Sequence, residues 1–331
     1  MSEFNAIVVP VNLGKHPNAD TLSIATVRGW QCVVRTADFQ DSFGNTIKLG
    51  AYIPIGTVMP ELPEWEFLKP RHYRVETIKL RDYLSQGLLI PAREGWVEGQ
   101  DVTEELGVKK YEEPIPTDMA GILMQSPPGF QKYTDIQNFN DYPRVFDPND
   151  EVVVTEKIHG SNVRYAIIGG TFYVGSHTRC LDPECAETNL YWQVARKYDV
   201  EAKLRTLFLN SDIQIFGEVY GPGVQDLHYG LKEPGLAIFD ILVHGTYAKD
   251  YHIDRLARET GIPRVPVLYR GKFNTLVLKH AGGPSTLDRD TVREGIVMRS
   301  ENLPNHPLIG RKILKLLNTE YLLRSGGTER H

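Results

Sequence analysis

The chain has 331 residues, of which 41% are hydrophobic and 24% charged, and its net charge is −5 at pH 7. This length and composition are typical of a globular protein with two domains, each large enough to bury its own core. No apolar run reaches the ~18 residues needed to cross a bilayer, and the N-terminal sequence MSEFNAIVVP lacks the basic and apolar regions of a secretory signal. We therefore expect a cytoplasmic protein that has no membrane partner.

Residues 1–111 are predicted to form an all-β domain, because short β-rich runs alternate with turn signals. The predicted strands are Ile7–Val11, Leu22–Val27, Gln31–Arg35, Tyr52–Ile55, Tyr73–Leu80 and Gly87–Pro91. About six short strands in a domain of this size suit a small closed barrel. The segment HPNADTL, His16–Leu22, resembles the start of OB-fold tRNA-binding modules, so we expect an OB-fold domain that binds nucleic acid.

A basic stretch lies within this domain, despite the acidic chain. Between Lys69 and Arg81 five lysines and arginines face one acid, Glu76. Phosphate binding depends on local rather than net charge. We predict that this stretch contacts an RNA backbone, with Tyr73 available for stacking, through Arg71, Arg74, Lys79 and Arg81. The alternative is a solvated charged strand, and alternation along Tyr73–Leu80 would place Arg74 and Lys79 on opposite faces.

Residues 112–150 are rich in proline and predicted to be a linker leading into the second domain, residues 151–331. Within the linker, Lys132–Phe139 is expected to pack against that domain. Helical spacing indicates helices over Glu187–Phe208 and Tyr251–Thr260. The remaining β-rich runs are Glu151–Lys157, Thr171–Ser176, Asp212–Tyr220, Leu236–Val243, Arg293–Ser300 and Lys312–Leu317. Strands dominate, so the fold class is α+β.

Lys157 stands at the end of a strand of three valines and a threonine, and Gly160 follows it. Gly160 permits a backbone conformation closed to other residues and a close approach of a ligand. We expect desolvation and neighbouring cations to lower the pKa of Lys157 and make it a nucleophile. The pattern K-x-x-G is weak alone, since it recurs at Lys232 and Lys279. Only Lys157 follows an apolar strand.

Four predicted core strands each carry a charged residue: Lys157, Glu218, Glu294 and Lys315. Buried charges are costly unless they are paired or bind a ligand. One such residue would indicate an ion pair, but four indicate a polar cleft that can hold a triphosphate. The three cysteines, Cys32, Cys180 and Cys185, are predicted to be reduced thiols, because their number is odd and no C-x-x-C pair is present.

Five segments occur in the order of the nucleotidyltransferase motifs of covalent ligases: EKIHG (Glu156–Gly160), FGEVYG (Phe216–Gly221), IFDI (Ile238–Ile241), EGIVMR (Glu294–Arg299) and ILKL (Ile313–Leu316). With them the chain resembles ATP-dependent RNA ligases of the RNA ligase 2-like group. His159 stands where DNA ligases usually have aspartate. The OB-like domain ahead of the transferase domain makes the chain most similar to the fifth RNA ligase family.

The resemblance implies roles for individual residues. Lys157 attacks the α-phosphate of ATP and forms a lysine–AMP bond. Glu218 binds the ribose, Phe239 stacks on adenine, Glu294 organises Mg²⁺ or Mn²⁺, and Lys315 binds the α-phosphate. Further nucleotide contacts are implied for Glu156, Asn162, Arg164, Arg179 and Lys312. The family's second lysine after Lys315 is replaced by Leu317, and Lys312 is the candidate substitute.

The implied function is that of a monomeric ATP-dependent RNA ligase. It joins a 3′-hydroxyl to a 5′-phosphate, at nicks in a duplex, through lysine–AMP and an adenylylated 5′ end. Two alternatives are compatible with the same residues. One is a nucleic-acid-binding protein whose transferase domain senses nucleotide without catalysis, although the intact charged set argues against it. The other is a DNA-joining ligase.

Overall fold

The computed structural model describes residues 4–111, 121–209, 211–302 and 305–324. By its internal contacts the chain divides into two compact units: among the described residues, 4–111 and 322–324 belong to the first unit, and those between 121 and 321 belong to the second. The segment 112–120, the first part of the predicted linker, lies outside the described residues. None of the described helices is long and apolar enough to span a membrane.

The first unit consists almost wholly of short strands. They are β1 (Ile7–Pro10), β2 (Leu13–Lys15), β3 (Leu22–Val27), β4 (Trp30–Arg35), β5 (Leu49–Ile53), β6 (Thr57–Val58), β7 (Arg74–Val75), β8 (Thr77–Leu80), β9 (Tyr83–Gln86), β10 (Leu88–Pro91) and β11 (Lys109–Lys110). They pair antiparallel in the orders β1-β5-β10, β11-β6-β7, β2-β3-β4 and β8-β9. A short helix, α1 (Thr103–Leu106), and 3₁₀ helices at Thr36–Phe39 and Pro63–Arg71 complete the unit.

The central sheet of the first unit is buried on both faces. Successive side chains of a strand point to opposite faces. Val8 of β1 and Ile53 of β5 therefore pack in one apolar cluster with Trp65, whereas Val9 and Tyr52 pack in a second cluster. This double burial explains why these strands read as nearly continuous apolar runs in the sequence.

The predicted single strand Tyr73–Leu80 is wrong. His72 and Tyr73 both have positive φ angles, of 53° and 61°, where the preceding 3₁₀ helix ends. The chain then forms β7, which pairs with β6, and β8, which pairs with β9 in a different sheet. The alternation of faces along Tyr73–Leu80 therefore does not hold across Glu76.

The rest of the described chain contains two larger sheets. The strands are β12 (Leu123–Met124), β13 (Gln137–Asn138), β14 (Glu151–Lys157), β15 (Gly160–Ile168), β16 (Thr171–Ser176), β17 (Cys180–Leu181), β18 (Ile213–Tyr220), β19 (Gly235–Val243), β20 (Thr246–Tyr247), β21 (Val267–Lys272), β22 (Gly295–Ser300), β23 (Asn305–His306), β24 (Gly310–Arg311) and β25 (Ile313–Leu317). The helices are α2 (Leu190–Lys197), α3 (Val200–Leu207), α4 (Asp250–Thr260) and α5 (Thr319–Leu322), with 3₁₀ helices at Pro183–Cys185 and Thr275–Ala281.

The seven-stranded sheet has the order β12-β17-β16-β15-β18-β19-β20, and the five-stranded sheet has the order β13-β25-β22-β14-β21. Their described pairs are antiparallel, except that β13 runs parallel to β25. The predicted α+β plan of antiparallel sheets with flanking helices is confirmed. The single helix predicted over Glu187–Phe208 is wrong, because Asp199, at φ 50°, separates α2 from α3.

Each large sheet packs one face on an apolar core and turns the other face toward its neighbour. Tyr165 and Ile215 of the seven-stranded sheet pack in a core that also holds residues of α2 and α3. Val154 and Met298 of the five-stranded sheet pack with Phe146 in another core. Alternation then directs Lys157, Arg299 and Lys315 to the opposite face, which meets the seven-stranded sheet.

A buried ion network joins the two facing sheets. Asp240 of β19 accepts contacts from Arg299 of β22 at 3.1 Å and from Arg311 at 2.6 Å. The Tyr133 hydroxyl donates to the same carboxylate at 2.8 Å, so Lys132–Phe139 packs on this unit as predicted. Arg299 also contacts Asp250, the first residue of α4, at 2.9 Å. The network therefore ties one helix and two sheets together.

The carboxylate of Asp250 is stabilised in its charged form. Burial raises its pKa, but hydrogen bonds and charges from Arg264, Arg270 and Arg299 outweigh burial and hold the pKa below its usual value. A lowered pKa of this kind contributes stability at neutral pH that is lost as the pH falls through the folded-state pKa.

Asp240→Ala is expected to lower the free energy of unfolding by about 3–5 kcal/mol, because it leaves two buried guanidinium groups without a shared carboxylate. Urea unfolding measures the change. Glu201→Ala is the control, since it breaks the exposed pair with Arg205 and should change stability by no more than about 0.5 kcal/mol. A loss in Asp240→Ala as small as in the control would contradict the role of the network.

Candidate active site

Lys157 ends β14 at the face where the two large sheets meet. Its ammonium donates to Oε1 of Glu294 at 2.6 Å. The lysine side chain is 22% exposed and the glutamate 2% exposed, so the pair opens to solvent only on the lysine side. The ladder explains the contact, because Lys157 lies opposite Gly295, the neighbour of Glu294.

The other two predicted charged residues belong to the same cleft. Glu218 of β18 lies opposite Asn162 of β15, and its charge acts on the Lys157 ammonium. Lys315 of β25 is buried and pairs with Val297, which itself pairs with Thr155. Thr155 and Lys157 lie two residues apart on one strand, so Lys315 is on the same face of the sheet as Lys157.

The electrostatic environment of Lys157 differs from the prediction. Burial lowers its pKa, but the charges of Glu294 and Glu218 and the hydrogen bond to Glu294 outweigh burial and raise the pKa above its usual value. The expectation of a pKa lowered by neighbouring cations is therefore wrong for the protein alone. The site stabilises the ammonium, because the charged groups that act on it are the carboxylates of Glu294 and Glu218.

The carboxylates also suit a divalent metal. Oε2 of Glu294 is buried, and no hydrogen-bond partner for it is found in the described chain. Within the same residues no group of three or more His, Cys, Asp or Glu side chains is placed to hold a metal. Mg²⁺ commonly takes one or two protein carboxylates and completes its shell with substrate phosphates and water. The residues present therefore fit a metal bound together with a phosphate ligand.

Gly160 is required by strand packing. Its φ is not in the left-handed region, and a Cβ there would overlap the main-chain carbonyl oxygen of Val219 and approach Cγ of Glu218. The predicted need for an unusual backbone conformation is wrong. The glycine instead lets β15 approach β18 closely enough to bring Asn162 opposite Glu218.

Asn162 and Arg164 lie on the same face of β15 but are used differently. Oδ1 of Asn162 is a buried acceptor without a hydrogen-bond partner in the described ranges, and it is therefore available to a ligand. Arg164 is fully buried and donates to the carbonyl oxygens of Ser176, Gln131 and Arg179 at 2.6, 2.9 and 3.0 Å. Burial lowers its pKa to about 10. Its guanidinium supports the surrounding main chain.

The side chain of Glu156 points away from that of Lys157. It alternates with Lys157 along β14, and its buried carboxylate accepts hydrogen bonds from the hydroxyl of Ser285 and from the hydroxyl and N–H of Thr286. Arg293 approaches the same carboxylate at 3.5 Å. Only the main chain of Glu156 lies beside the cleft, so its side chain cannot contact a nucleotide there.

Three other predicted nucleotide contacts have distinct places. Phe239 is the extra residue of a β-bulge, is partly exposed, and has its ring centroid 4.9 Å from that of Tyr133. Arg179 is exposed beside β17. Lys312 forms an ion pair with Asp150 and lies over the ring of Phe146, in the core on the far side of the five-stranded sheet. The structure therefore does not bring Lys312 to Lys315.

His159 is held from three sides by residues that sequence reasoning did not identify. Its Nε2 lies 2.6 Å from Oδ1 of Asp226, its Nδ1 lies 2.8 Å from the Tyr321 hydroxyl, and its main-chain N–H donates to the Tyr229 hydroxyl at 2.7 Å. These partners come from loops and from α5, where no periodic pattern marks them. They fix the turn between Lys157 and Gly160.

The predicted RNA-binding residues lie in the first unit and differ in availability. Arg74 pairs with Glu76 at 3.4 Å and stacks 3.7 Å from the ring centroid of Tyr111, so it serves the unit's own packing. Lys79 is exposed but pairs with Asp82 at 3.5 Å. Arg81 is exposed and Arg71 partly exposed.

Lys157 binds Glu294 and is subject to the charge of Glu218 where two antiparallel sheets face each other, an arrangement compatible with a nucleotidyltransferase. A model of the RNA ligase family matches residues 150–317, and a model of an OB-fold domain matches residues 7–92. Because the first match spans half of the chain, the protein belongs to the RNA ligase family. The predicted OB fold of the first unit is confirmed as well. A comparison with curated proteins found no matching sequence.

Solved structures of one RNA ligase, from Naegleria gruberi, are similar to the chain over nearly its whole length. The structure with PPi is 25% identical, has a TM-score of 0.80, and covers 96% of this chain and 97% of its own. A lysine-to-alanine mutant with ATP and Mn has the same identity and TM-score and covers 96% of this chain and 98% of its own. A glutamate-to-alanine mutant with AMP and Mn is equally similar, with coverages of 96% and 97%.

Proposed function

We propose that the protein is an ATP-dependent ligase that joins an RNA 3′-hydroxyl to a 5′-phosphate through a lysine–AMP intermediate on Lys157. The observation that carries the proposal is the contact of Lys157 with Glu294 at 2.6 Å, at the meeting face of the two sheets, in a chain of the RNA ligase family. The two alternatives, a nucleic-acid-binding protein whose transferase domain senses nucleotide without catalysis and a DNA-joining ligase, are outcomes of the tests below.

In the first step the Lys157 amine attacks the α-phosphorus of ATP. The ammonium first loses a proton to solvent. The amine then forms a nitrogen–phosphorus bond, the bond to the pyrophosphate oxygen breaks, pyrophosphate leaves, and the second proton passes from the nitrogen to solvent. Lys315, on the same face, is placed to bind the α-phosphate and offset charge that develops on its oxygens. A divalent metal bound with the phosphates would supply further positive charge, and Glu294 would hold it.

The residues proposed to contact the ribose and adenine of ATP lie on the neighbouring strands β15, β18 and β19. Glu218 and Asn162 lie side by side across β15 and β18 and can accept hydrogen bonds from ribose hydroxyls. Phe239 is partly exposed at the bulge of β19, and a bulge re-aims the side chain it carries. We assign it to stacking on adenine.

In the later steps AMP passes from Lys157 to an RNA 5′-phosphate, and a 3′-hydroxyl then displaces AMP and seals the strand. The same pocket serves each transfer, because every step breaks a bond to the AMP phosphate. This bond links AMP to pyrophosphate in the first step, to the Lys157 nitrogen in the second, and to the RNA 5′-phosphate in the third. We propose a nick in a duplex as the substrate and a monomer as the active form. The OB-fold match in the first unit supports a nucleic-acid contact there.

Lys157→Ala is expected to abolish labelling of the protein by ATP that carries a labelled α-phosphate, because alanine has no nucleophile. Incubation with Mg²⁺ or Mn²⁺ and denaturing electrophoresis measure the adduct, which should be acid-labile. Lys232→Ala is a matched control, since Lys232 also lies in a K-x-x-G pattern but is exposed. A wild type that forms no adduct with either metal, after pyrophosphate is removed, would exclude the ligase and favour a nucleotide-sensing protein.

The wild type is expected to seal a nicked duplex whose 3′-hydroxyl strand is RNA at least about tenfold faster than the same nick with a DNA 3′ end, a barrier difference of ~1.4 kcal/mol. The measurement is the rate of sealing of a labelled 5′-phosphate strand. Equal rates on both ends would identify a DNA-joining activity instead. Sealing only of single-stranded RNA would contradict the nicked duplex.

Glu156→Ala is expected to slow lysine–AMP formation by about 10- to 100-fold, because the carboxylate holds the segment that ends in Arg293 and Glu294, and small displacements of reacting groups cost rate. Glu156→Gln keeps one acceptor oxygen and should recover most of the rate. Glu151→Ala, exposed at the start of the same strand, is the control. The rate of lysine–AMP formation is measured by single-turnover labelling at a temperature well below the melting temperature of each variant. A wild-type rate in Glu156→Ala would exclude a positioning role.

A further inference from the structure

Two tight hairpins in the first unit carry arginine at a position that disfavours it. Arg28 and Gly29 join β3 to β4 with φ angles of 48° and 81°, and Arg81 and Asp82 join β8 to β9 with φ angles of 48° and 74°. Two-residue turns with positive φ at both central positions strongly prefer Asn-Gly or similar pairs. A side chain as large as arginine is uncommon in this backbone region.

The two turns lie at the same end of neighbouring strands. The side-chain amide of Gln31 in β4 donates to the carbonyl oxygen of Leu84 in β9 at 2.8 Å, and the N–H of Val33 donates to the Ser85 hydroxyl at 3.0 Å. Arg28 precedes Gln31 by the same number of residues as Arg81 precedes Leu84. The chain therefore places both arginines at one edge of the barrel.

A buried histidine holds the second turn in place. His16 is fully buried, and its Nδ1 accepts a hydrogen bond from the Asn18 N–H at 3.0 Å. The proton is thus on Nε2, which lies 3.3 Å from the carbonyl oxygen of Leu80 and donates to it. The Asn18 side chain donates to the carbonyl oxygen of Arg81 at 3.1 Å. Strained turns persist where surrounding contacts over-determine them, and they cluster at functional sites.

The charges of the two arginines are not used within the unit. Across residues 4–111 neither guanidinium forms a described ion pair or hydrogen bond with another side chain, whereas four of the unit's other lysines and arginines form ion pairs. The paired cations are Lys69 with Glu66, Arg74 with Glu76, Lys79 with Asp82 and Arg93 with Glu64. Arg81 is exposed and Arg28 partly exposed, so both can reach a ligand.

We propose that Arg28 and Arg81 form a phosphate clamp for the RNA backbone at this edge of the first unit. The proposal rests on the proposed function. It changes the set of residues predicted to contact RNA: Arg81 is kept, Arg74 is omitted, and Arg28, which lies outside the basic stretch, is added. Arginine suits the task because its planar guanidinium binds phosphate through paired hydrogen bonds and stays charged. Rigid turns limit the freedom that the side chains lose on binding.

Glycine substitutions separate charge from folding. Glycine adopts positive φ without strain, so Arg28→Gly and Arg81→Gly remove the charge while keeping the turn, and the melting temperature should not fall. Binding of the full chain to a nicked RNA duplex, without ATP, is followed by fluorescence anisotropy between low and high salt. Each variant should weaken binding about five- to eightfold near ~0.1 M salt and reduce the slope of log K against log salt by about 0.7–0.9.

Three further variants complete the test. Arg35→Ala removes an equal charge at the other end of β4. It should change the affinity for RNA by no more than about twofold, or about 0.4 kcal/mol, and should leave the salt slope unchanged. Arg28→Lys and Arg81→Lys keep the charge but not the paired hydrogen bonds, so they should keep the wild-type salt slope and recover only part of the affinity that the glycine variants lose. They also serve if a glycine variant proves unstable.

The proposal is overturned if the glycine variants bind RNA with the affinity and salt slope of Arg35→Ala, or if the lysine variants reduce the salt slope as much as the glycine variants do. Weaker binding to anionic lipid vesicles with unchanged RNA binding would overturn it in favour of a membrane surface. The measurement uses no ATP, so its outcome is independent of whether Lys157 forms an adduct. A failure of the clamp is thereby distinguishable from a failure of the ligase proposal.

Discussion

The buried carboxylate of Asp240 is the interaction on which the second unit depends. It sits on one large sheet and receives Arg299 and Arg311 from the side of the other. Removing charges from water is costly, and only close pairing with further hydrogen bonds offsets the cost. The Tyr133 hydroxyl supplies such a bond. With this pairing satisfied, the two sheets can face each other through polar side chains and still leave room beside them for a cleft.

The cleft around Lys157 follows the same electrostatic rule but is left incomplete. The lysine is balanced by Glu294 and Glu218, which raise its pKa, while one oxygen of Glu294 has no partner within the described structure. An ammonium is a poor nucleophile. The groups that favour the resting ammonium are thus the same groups that suit a metal and a ribose. Binding of nucleotide and metal would redirect both carboxylates and weaken their hold on the lysine proton.

The sequence was sufficient for most of the longer strands and for four charged residues on or beside them, because alternation and burial are local properties. It predicted Lys157, Glu218, Glu294 and Lys315, which the structure places on the facing sheets. It was not sufficient for Glu156 or Lys312, whose partners are decided by which face of a strand each occupies. Nor did it reveal the break at Asp199, where one residue with positive φ divides a regular helical pattern. Such positions depend on tertiary contacts far away in the chain.

The short segment from Glu156 to Gly160 joins three different constraints. Lys157 faces the cleft, and Glu156, on the opposite face, binds the segment that ends at Glu294. Lys157 and its carboxylate partner Glu294 are therefore fixed from both sides of one strand. Because Gly160 has no side chain, β18 can approach β15 closely, and Glu218 then lies opposite Asn162. The weak K-x-x-G pattern thus has a physical basis here, because the residues on either side of Lys157 act on its surroundings: Glu156 binds the segment that ends at Glu294, and Gly160 allows the close approach of β18, which carries Glu218.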